Sequence, residues 1–103
     1  MERMGYAKFV IASEDQDIRL IDVREPFEFT QGHVKGAELF PMSAIQNGEL
    51  PENDGRTVAL ICRSGSRSAM VASILESQGF EHTINIEGGT LAAASLYPEH
   101  IEK

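Results

Sequence analysis

The chain has 103 residues, of which 42% are hydrophobic, and carries a formal net charge of −7. This length suits one core, so we expect a single domain over residues 1–103. The negative charge argues against a nucleic-acid-binding protein, because phosphate contacts need clustered Lys and Arg side chains. One cysteine cannot form an internal disulfide, and no Cys and His cluster has the spacing of a zinc site. We expect a free thiol in a reducing compartment, with no metal and no cofactor.

The sequence also argues against a membrane segment. It contains no run of 18 apolar residues, and its first residues lack an apolar core followed by a cleavage pattern. We therefore predict a cytoplasmic location and no membrane partner.

In chain order, segments whose apolar residues have the spacing of a strand alternate with segments whose apolar residues have the spacing of a helix. Residues 6–13 fit either a short helix or an edge strand. The aliphatic segment 18–23 predicts a strand, and 26–31 a short helix, since Pro26 suits a first turn and Glu28 lies near its positive end. A short strand over 37–40 precedes Pro41, and Ser43 is the predicted cap of the next short helix.

The second half repeats the alternation. The apolar segment 57–61 predicts a buried strand, and a helix follows that ends before Gly79. A last strand over 83–86 precedes a helix from Leu91 to about Leu96, which Pro98 ends. The order predicts an α/β fold with a mostly parallel central sheet flanked by short helices.

Cys62, the only cysteine, lies between the strand 57–61 and the helix after it. The connecting residues 63–66 are small or cationic and let successive N–H groups point inward, which makes an anion cradle. These amides, the helix terminus and the guanidinium groups of Arg63 and Arg67 favour a thiolate. We therefore predict a reactive Cys62 whose pKa lies below that of free cysteine. The alternative is a buried structural cysteine.

Other polar residues receive supporting or structural interpretations. Asp22 and Arg24, at the carboxyl end of a predicted strand, are interpreted as a network that supports the Cys62 loop, with substrate contact as the alternative. His33 lies between glycines and is expected to bind backbone groups. Two further predictions are that His82 and His100 lie on the surface, and that Phe27, Phe29 and Phe40 form core or cleft wall.

Four segments together resemble the rhodanese (sulfurtransferase) family: Leu20–Glu25, Glu28–Phe29 with Gly32–Ala37, the Cys62 loop, and Ile86–Gly89. The resemblance covers residues 18 to about 93. It implies a small rhodanese-like fold and a single-domain enzyme whose cysteine carries sulfur as a persulfide. One departure is visible: related sequences place a tryptophan a few residues after the two glycines, and this chain has no tryptophan. We expect the departure to weaken packing at the last helix and to leave catalysis unaffected.

The resemblance implies a thiosulfate sulfurtransferase in which Cys62 is the catalytic nucleophile. The acceptor would be cyanide or a thiol such as thioredoxin, glutathione or dihydrolipoate. The predicted substrate-binding residues are those of the loop: Arg63, Ser64, Gly65, Ser66, Arg67 and Ser68. For Arg67 a structural ion pair is the alternative.

Two other functions stay open. One is a persulfide carrier or binding module that works with a partner protein. The other is a cysteine phosphatase or arsenate reductase, which loop length disfavours: four residues separate Cys62 from Arg67, one fewer than in phosphatases that resemble this fold.

Overall fold

Helices and strands alternate in the computed structural model, which describes residues 1–103. The elements, in chain order, are β1 (Glu2–Gly5), α1 (Tyr6–Asp15), β2 (Ile18–Asp22), α2 (Pro26–Gln31), β3 (His33–Val34), β4 (Glu38–Leu39), α3 (Met42–Gln46), β5 (Thr57–Ile61), α4 (Ser66–Ser77), β6 (Thr83–Glu87), α5 (Gly89–Leu96), a 3₁₀ turn (Pro98–His100) and β7 (Ile101–Glu102). None of the helices combines the length and apolar character needed to cross a membrane.

The central sheet has five strands in the order β1-β6-β5-β2-β4, and every pair is parallel. This confirms the α/β fold predicted from the sequence. A separate antiparallel pair joins β3 to β7, so that the C-terminal residues lie beside the segment that follows α2. The carboxyl ends of β2, β5 and β6 meet at one edge of the sheet, which is where Cys62 lies.

Alternation along β5 assigns Cys62 to one face of the sheet, because successive strand residues point to opposite faces. Ala59 and Ile61 belong to a core cluster that includes residues of α1 and α5. Val58, Leu60 and Cys62 belong to a second cluster, with residues of α3 and α4. The thiol therefore continues the apolar row that faces α4.

The N-terminal elements and the start of α3 differ from the sequence prediction or complete it. The undecided segment 6–13 lies in α1, and β1 before it is a strand that the sequence did not indicate, since only Met4 of its four residues is buried. The prediction that Ser43 caps α3 is wrong. That helix begins at Met42, and the Ser43 hydroxyl instead donates to Glu25 Oε1 at 2.7 Å.

The aromatic residues also need correction. Phe27 is 66% exposed, so its prediction as core or cleft wall is wrong. His100 is not a free surface residue, because its Nδ1 lies 2.7 Å from the Tyr6 hydroxyl and its ring stacks on Tyr97. His33 does contact backbone as predicted, with its Nδ1 2.9 Å from the Phe29 carbonyl.

The start of α5 lies directly against the loop that follows β5. Thr90 N–H donates to the Cys62 carbonyl at 2.9 Å, and Leu91 N–H donates to the Arg63 carbonyl at 3.1 Å. Gly89 makes this approach possible, because a Cβ there would lie 2.5 Å from the carbonyl oxygens of both Cys62 and Arg63, and its φ is +56°. The first turn of α5 and the Cys62 loop are therefore one packed unit.

Replacing Gly89 by alanine should be more destabilising than a positive φ alone explains. We expect Gly89→Ala to lower the free energy of unfolding by about 3 kcal/mol, from backbone strain plus overpacking. Gly48→Ala is the matched control, since Gly48 has a φ of +93° but open space around a Cβ. Gly48→Ala should lower the free energy of unfolding by about 1 kcal/mol. Urea unfolding measures both, and equal losses would contradict the close packing of α5 on the loop.

Candidate active site

Cys62 is buried at the mouth of the loop, with 1% of its surface exposed. Aliphatic side chains of α4, among them Val71 and Leu75, belong to the same core cluster. Burial alone would describe an inert structural cysteine. The polar groups around the sulfur are what distinguish it.

The docking of α5 fixes which way the loop peptides point. The carbonyls of Cys62 and Arg63 are directed at the first turn of α5 and accept its N–H groups. In a trans peptide the N–H points opposite to the carbonyl, and the chain has no cis peptide. The N–H groups of Arg63 and Ser64 therefore point away from α5, and that of Ser64 is directed at the thiol, whose pKa it lowers.

Gly65 completes the ring of amides around the sulfur. Its N–H donates to Cys62 Sγ at a distance of 3.1 Å, and its φ of +116° is one that glycine adopts readily. Its carbonyl points the other way and accepts the Asn85 side-chain N–H at 3.2 Å. The predicted anion cradle is thus present in the backbone, with an N–H contact to the sulfur.

Opposing effects act on the ionisation of Cys62. Burial raises the pKa of the thiol, while hydrogen bonds lower it by more in sum: that of the Ser68 hydroxyl, when its proton is turned to Sγ, and those of the N–H groups of Ser68, Gly65 and Ser64. The resulting pKa lies below the ordinary value for a cysteine. The direction is the one that the sequence predicted.

Arg67 forms a two-pronged ion pair with Glu28 of α2. Its two Nη atoms lie 2.7 and 2.9 Å from the two carboxylate oxygens. The hydrogen bond from Arg67 lowers the pKa of Glu28 to about 2. Glu28 also accepts the backbone N–H of Glu25, which closes a capping box at the start of α2. The guanidinium that was predicted to bind substrate is therefore already engaged by a carboxylate.

Asp22 and Arg24 form a buried pair beside the loop. Arg24 Nε and Nη2 lie 3.0 and 2.9 Å from the two oxygens of Asp22, and Nη2 also donates to the Gly32 carbonyl at 2.8 Å. Between them, the Val23 N–H donates to the Ile61 carbonyl. These contacts join the end of β2 to the end of β5 immediately before Cys62 and to the chain after α2.

The remaining predicted residues form the exposed rim. Arg63, Ser64 and Ser66 are exposed, and Arg63 has no ion-pair partner. Beside Arg63 a cleft of ≈ 230 Å³ opens between α2 and α5, with Leu91 and Ala94 in its wall. A larger cleft of ≈ 470 Å³ lies at the opposite edge of the sheet, where β2, β5 and β6 begin, and does not include Cys62.

Sequence reasoning missed three residues that contact this site. Asn85 and Thr90 hold the loop through Gly65 and Cys62, and Glu28 binds Arg67. Asn85 carried a readable signal, because it is a polar residue between two isoleucines of a buried strand. Glu28 and Thr90 carried none, since their roles follow from how α2 and α5 pack against the loop.

Curated relatives and a solved structure resemble this chain. A 'Sulfurtransferase' of Allochromatium vinosum is 36% identical and aligns with 80% of this chain and 77% of its own. A 'Putative sulfur carrier protein YrkF' of Bacillus subtilis is 36% identical over 73% of this chain and 40% of its own length. The crystal structure of SSP1007 from Staphylococcus saprophyticus superposes with a TM-score of 0.80 at 32% identity and full coverage of both chains.

The chain is shorter than some of these proteins. It spans 41% of the length of an uncharacterised Synechocystis protein, slr1261, to which it is 42% identical over 71% of its own residues. The profile of the rhodanese-like domain matches residues 7–95, most of the sequence. The match includes the Cys62 loop, the Asp22 and Arg24 pair and the start of α5 described above. The chain belongs to the rhodanese-like domain family.

Proposed function

We propose that this protein is a sulfurtransferase that moves a sulfane sulfur from thiosulfate, or a similar donor, to a thiophilic acceptor through a persulfide on Cys62. The observation that carries the proposal is the ring of amides around the only cysteine, with the Gly65 N–H 3.1 Å from its sulfur. Relatives named as a sulfurtransferase and a putative sulfur carrier support the reaction class.

In the first half-reaction, the Cys62 thiolate attacks the outer sulfur of thiosulfate. A new S–S bond forms, the S–S bond of thiosulfate breaks, and sulfite leaves with the electron pair. The negative charge moves from Cys62 Sγ to the outer sulfur of the persulfide. The amides that point into the loop are placed to bind that charge without rearrangement.

In the second half-reaction, an acceptor nucleophile attacks the outer sulfur. Cyanide would leave as thiocyanate and a thiolate would leave as its own persulfide, in each case regenerating the Cys62 thiolate. The low pKa that the loop gives Cys62 makes it a better leaving group in this step. Kinetics should therefore be of the ping-pong type.

Arg63 is the group we assign to the donor's sulfonate oxygens. Its guanidinium is exposed beside the cleft and unpaired, whereas that of Arg67 is held by Glu28. Guanidinium donors match paired oxygens better than an ammonium does. The hydroxyls of Ser64 and Ser66 lie on the same exposed rim and complete the proposed donor site. Arg67 contributes positive charge near the sulfur. Its pKa is raised, mainly by the hydrogen bond with Glu28 and to a smaller extent by the charge of Cys62.

Loop length supports sulfur over phosphate as the group that is bound. A phosphoryl group presents three equatorial oxygens, so it needs a wider ring than the four residues between Cys62 and Arg67 provide. The terminal sulfur of a persulfide is a single compact anion. A cysteine phosphatase or arsenate reductase is therefore the less favoured assignment.

A persulfide carrier is the second candidate, and the net charge favours it. The formal charge of −7 repels anionic thiosulfate, except near Arg63. A carrier would take its sulfur from a protein persulfide through docking at the rim. Both functions need the same thiolate and the same ring of amides.

Thiosulfate should add one sulfur atom to the protein, observed as an increase of that mass in the intact chain. Reduction should remove it, and Cys62→Ser should show no addition. Cyanide and thioredoxin should each discharge the adduct and regenerate the original mass.

The carrier is tested in the same assay with a protein persulfide as the donor. A mass increase from this donor but not from thiosulfate would support the carrier. If neither donor adds sulfur to a protein that is folded by circular dichroism, the proposed function is wrong.

Removing the Arg63 guanidinium should weaken donor binding. We expect Arg63→Ala to raise the thiosulfate concentration for half-maximal persulfide formation about tenfold, because a charged hydrogen bond contributes about 1.5 kcal/mol or more. Arg3→Ala is the matched control, since Arg3 is an exposed arginine on β1 and its loss changes the net charge equally. An equal effect of both substitutions would contradict the assignment of Arg63 to the donor.

A further inference from the structure

Three buried polar side chains form a line that leads away from the sulfur. Ser68 Oγ lies 3.4 Å from Cys62 Sγ and 2.5 Å from Asn85 Oδ1, and Asn85 Nδ2 lies 3.2 Å from the Gly65 carbonyl. The exposed fractions of Cys62, Ser68 and Asn85 are 1%, 0% and 2%. Water therefore has little access to this line, and its hydrogen bonds must be satisfied within it.

The orientation of the Asn85 amide fixes where the Ser68 proton lies. The amide nitrogen must face the Gly65 carbonyl, because two carbonyl oxygens cannot hydrogen-bond to each other. The amide oxygen then faces Ser68 Oγ, and only the Ser68 hydroxyl can supply the hydrogen between those two oxygens. A hydroxyl has a single proton. While Ser68 donates to Asn85, it offers the sulfur only a lone pair.

We propose that Asn85 is a positioning residue for sulfur transfer that holds the Ser68 hydroxyl proton away from Cys62. This arrangement suits a thiol, since the S–H can donate to Ser68 Oγ. The same arrangement disfavours a thiolate, because the negative sulfur would lie beside a lone pair of Ser68 Oγ. Only rotation of the hydroxyl, which breaks its hydrogen bond to Asn85, would remove that repulsion. The loop amides stabilise the thiolate, and Asn85 limits how far that stabilisation goes.

The persulfide resolves this competition, and this step of the inference rests on the proposed function. Once the outer sulfur is attached, Sγ is neutral and the charge lies one bond further into the loop. Ser68 can then donate to Asn85 without destabilising the anion, because the charge no longer lies on the sulfur beside Ser68 Oγ. Asn85 therefore favours the two states in which Sγ carries no charge, the thiol and the persulfide, and slows the release of Cys62 as a thiolate.

Charged groups around the sulfur do not account for this effect. Those on or beside the ends of the elements near Cys62 are Asp22, Arg24, Glu28, Arg63, Arg67 and Glu87, while Arg19 of β2 and Glu76 of α4 lie at the far ends of theirs. Neither Ser68 nor Asn85 carries a charge, so replacing them by uncharged side chains leaves this set intact. Any change in ionisation then comes from hydrogen bonding or from a shift of the loop.

A double-mutant cycle separates these causes. The pKa of Cys62, the only thiol in the chain, is read from the ultraviolet absorbance of its thiolate in the unmodified protein, Asn85→Leu, Ser68→Ala and the double variant. We expect Asn85→Leu to lower the pKa by up to about one unit, because the freed hydroxyl can donate to the sulfur. In the Ser68→Ala background Asn85→Leu should not lower it. Any loop shift from losing the Gly65 contact is common to both backgrounds and cancels.

A pKa that rises in Asn85→Leu, or that shifts equally in both backgrounds, would overturn the proposal. If Asn85→Leu does not fold, Asn85→Ala replaces it, and Ser68→Ala alone still decides: a rise of a full unit would show that Ser68 already donates to the sulfur. As a second readout, cyanide should discharge the persulfide of Asn85→Leu faster than that of the unmodified protein. The titration needs no sulfur transfer, so it stands even if the proposed function fails.

Discussion

The direction of two peptide groups organises the site of this protein. Because the first turn of α5 binds the carbonyls of Cys62 and Arg63, the N–H groups that follow them point away from α5. The approach requires a residue without Cβ at position 89, and the loop passes through Gly65 with a positive φ. The conformation of the loop therefore depends on its contacts with α5, a helix that has no charged side chain. What results is a set of dipoles aimed at one sulfur.

Around this centre, charged side chains pair with one another and leave the sulfur to the backbone. Arg24 is bound by Asp22 and Arg67 by Glu28, and every buried side-chain nitrogen or oxygen has a hydrogen-bond partner. A buried thiolate in such surroundings depends on the backbone amides, because the Ser68 hydroxyl donates to Asn85. In the proposed reaction, the same preorganised N–H groups bind the negative charge after it has moved from Sγ to the outer sulfur of the persulfide. Arg63, outside the ring, has no ion-pair partner, which is why we assign the proposed anionic donor to it.

Much of the fold and the centre of the site could be predicted from the sequence, because both depend on local patterns. The segment 57–61 reads as a buried strand, and the small residues after Cys62 indicate an inward-facing loop. What the sequence could not give depends on packing between distant segments. The partner of Arg67 lies on α2, and the contact of α5 with the loop joins residues far apart in the chain. Edge strand β1 was not predicted, because Met4 is its only buried residue and its sequence shows no alternation of apolar and polar residues.

The central claim is that loop amides hold the charge on Cys62, and NMR tests it most directly. The amide proton shifts of residues 63–68 would be followed through the ionisation of the thiol. The account predicts that the amide protons of Ser64, Gly65 and Ser68 move downfield together as the thiolate forms, with one midpoint below the ordinary pKa of cysteine. Amide shifts that do not change through the titration, or a midpoint above that value, would contradict it.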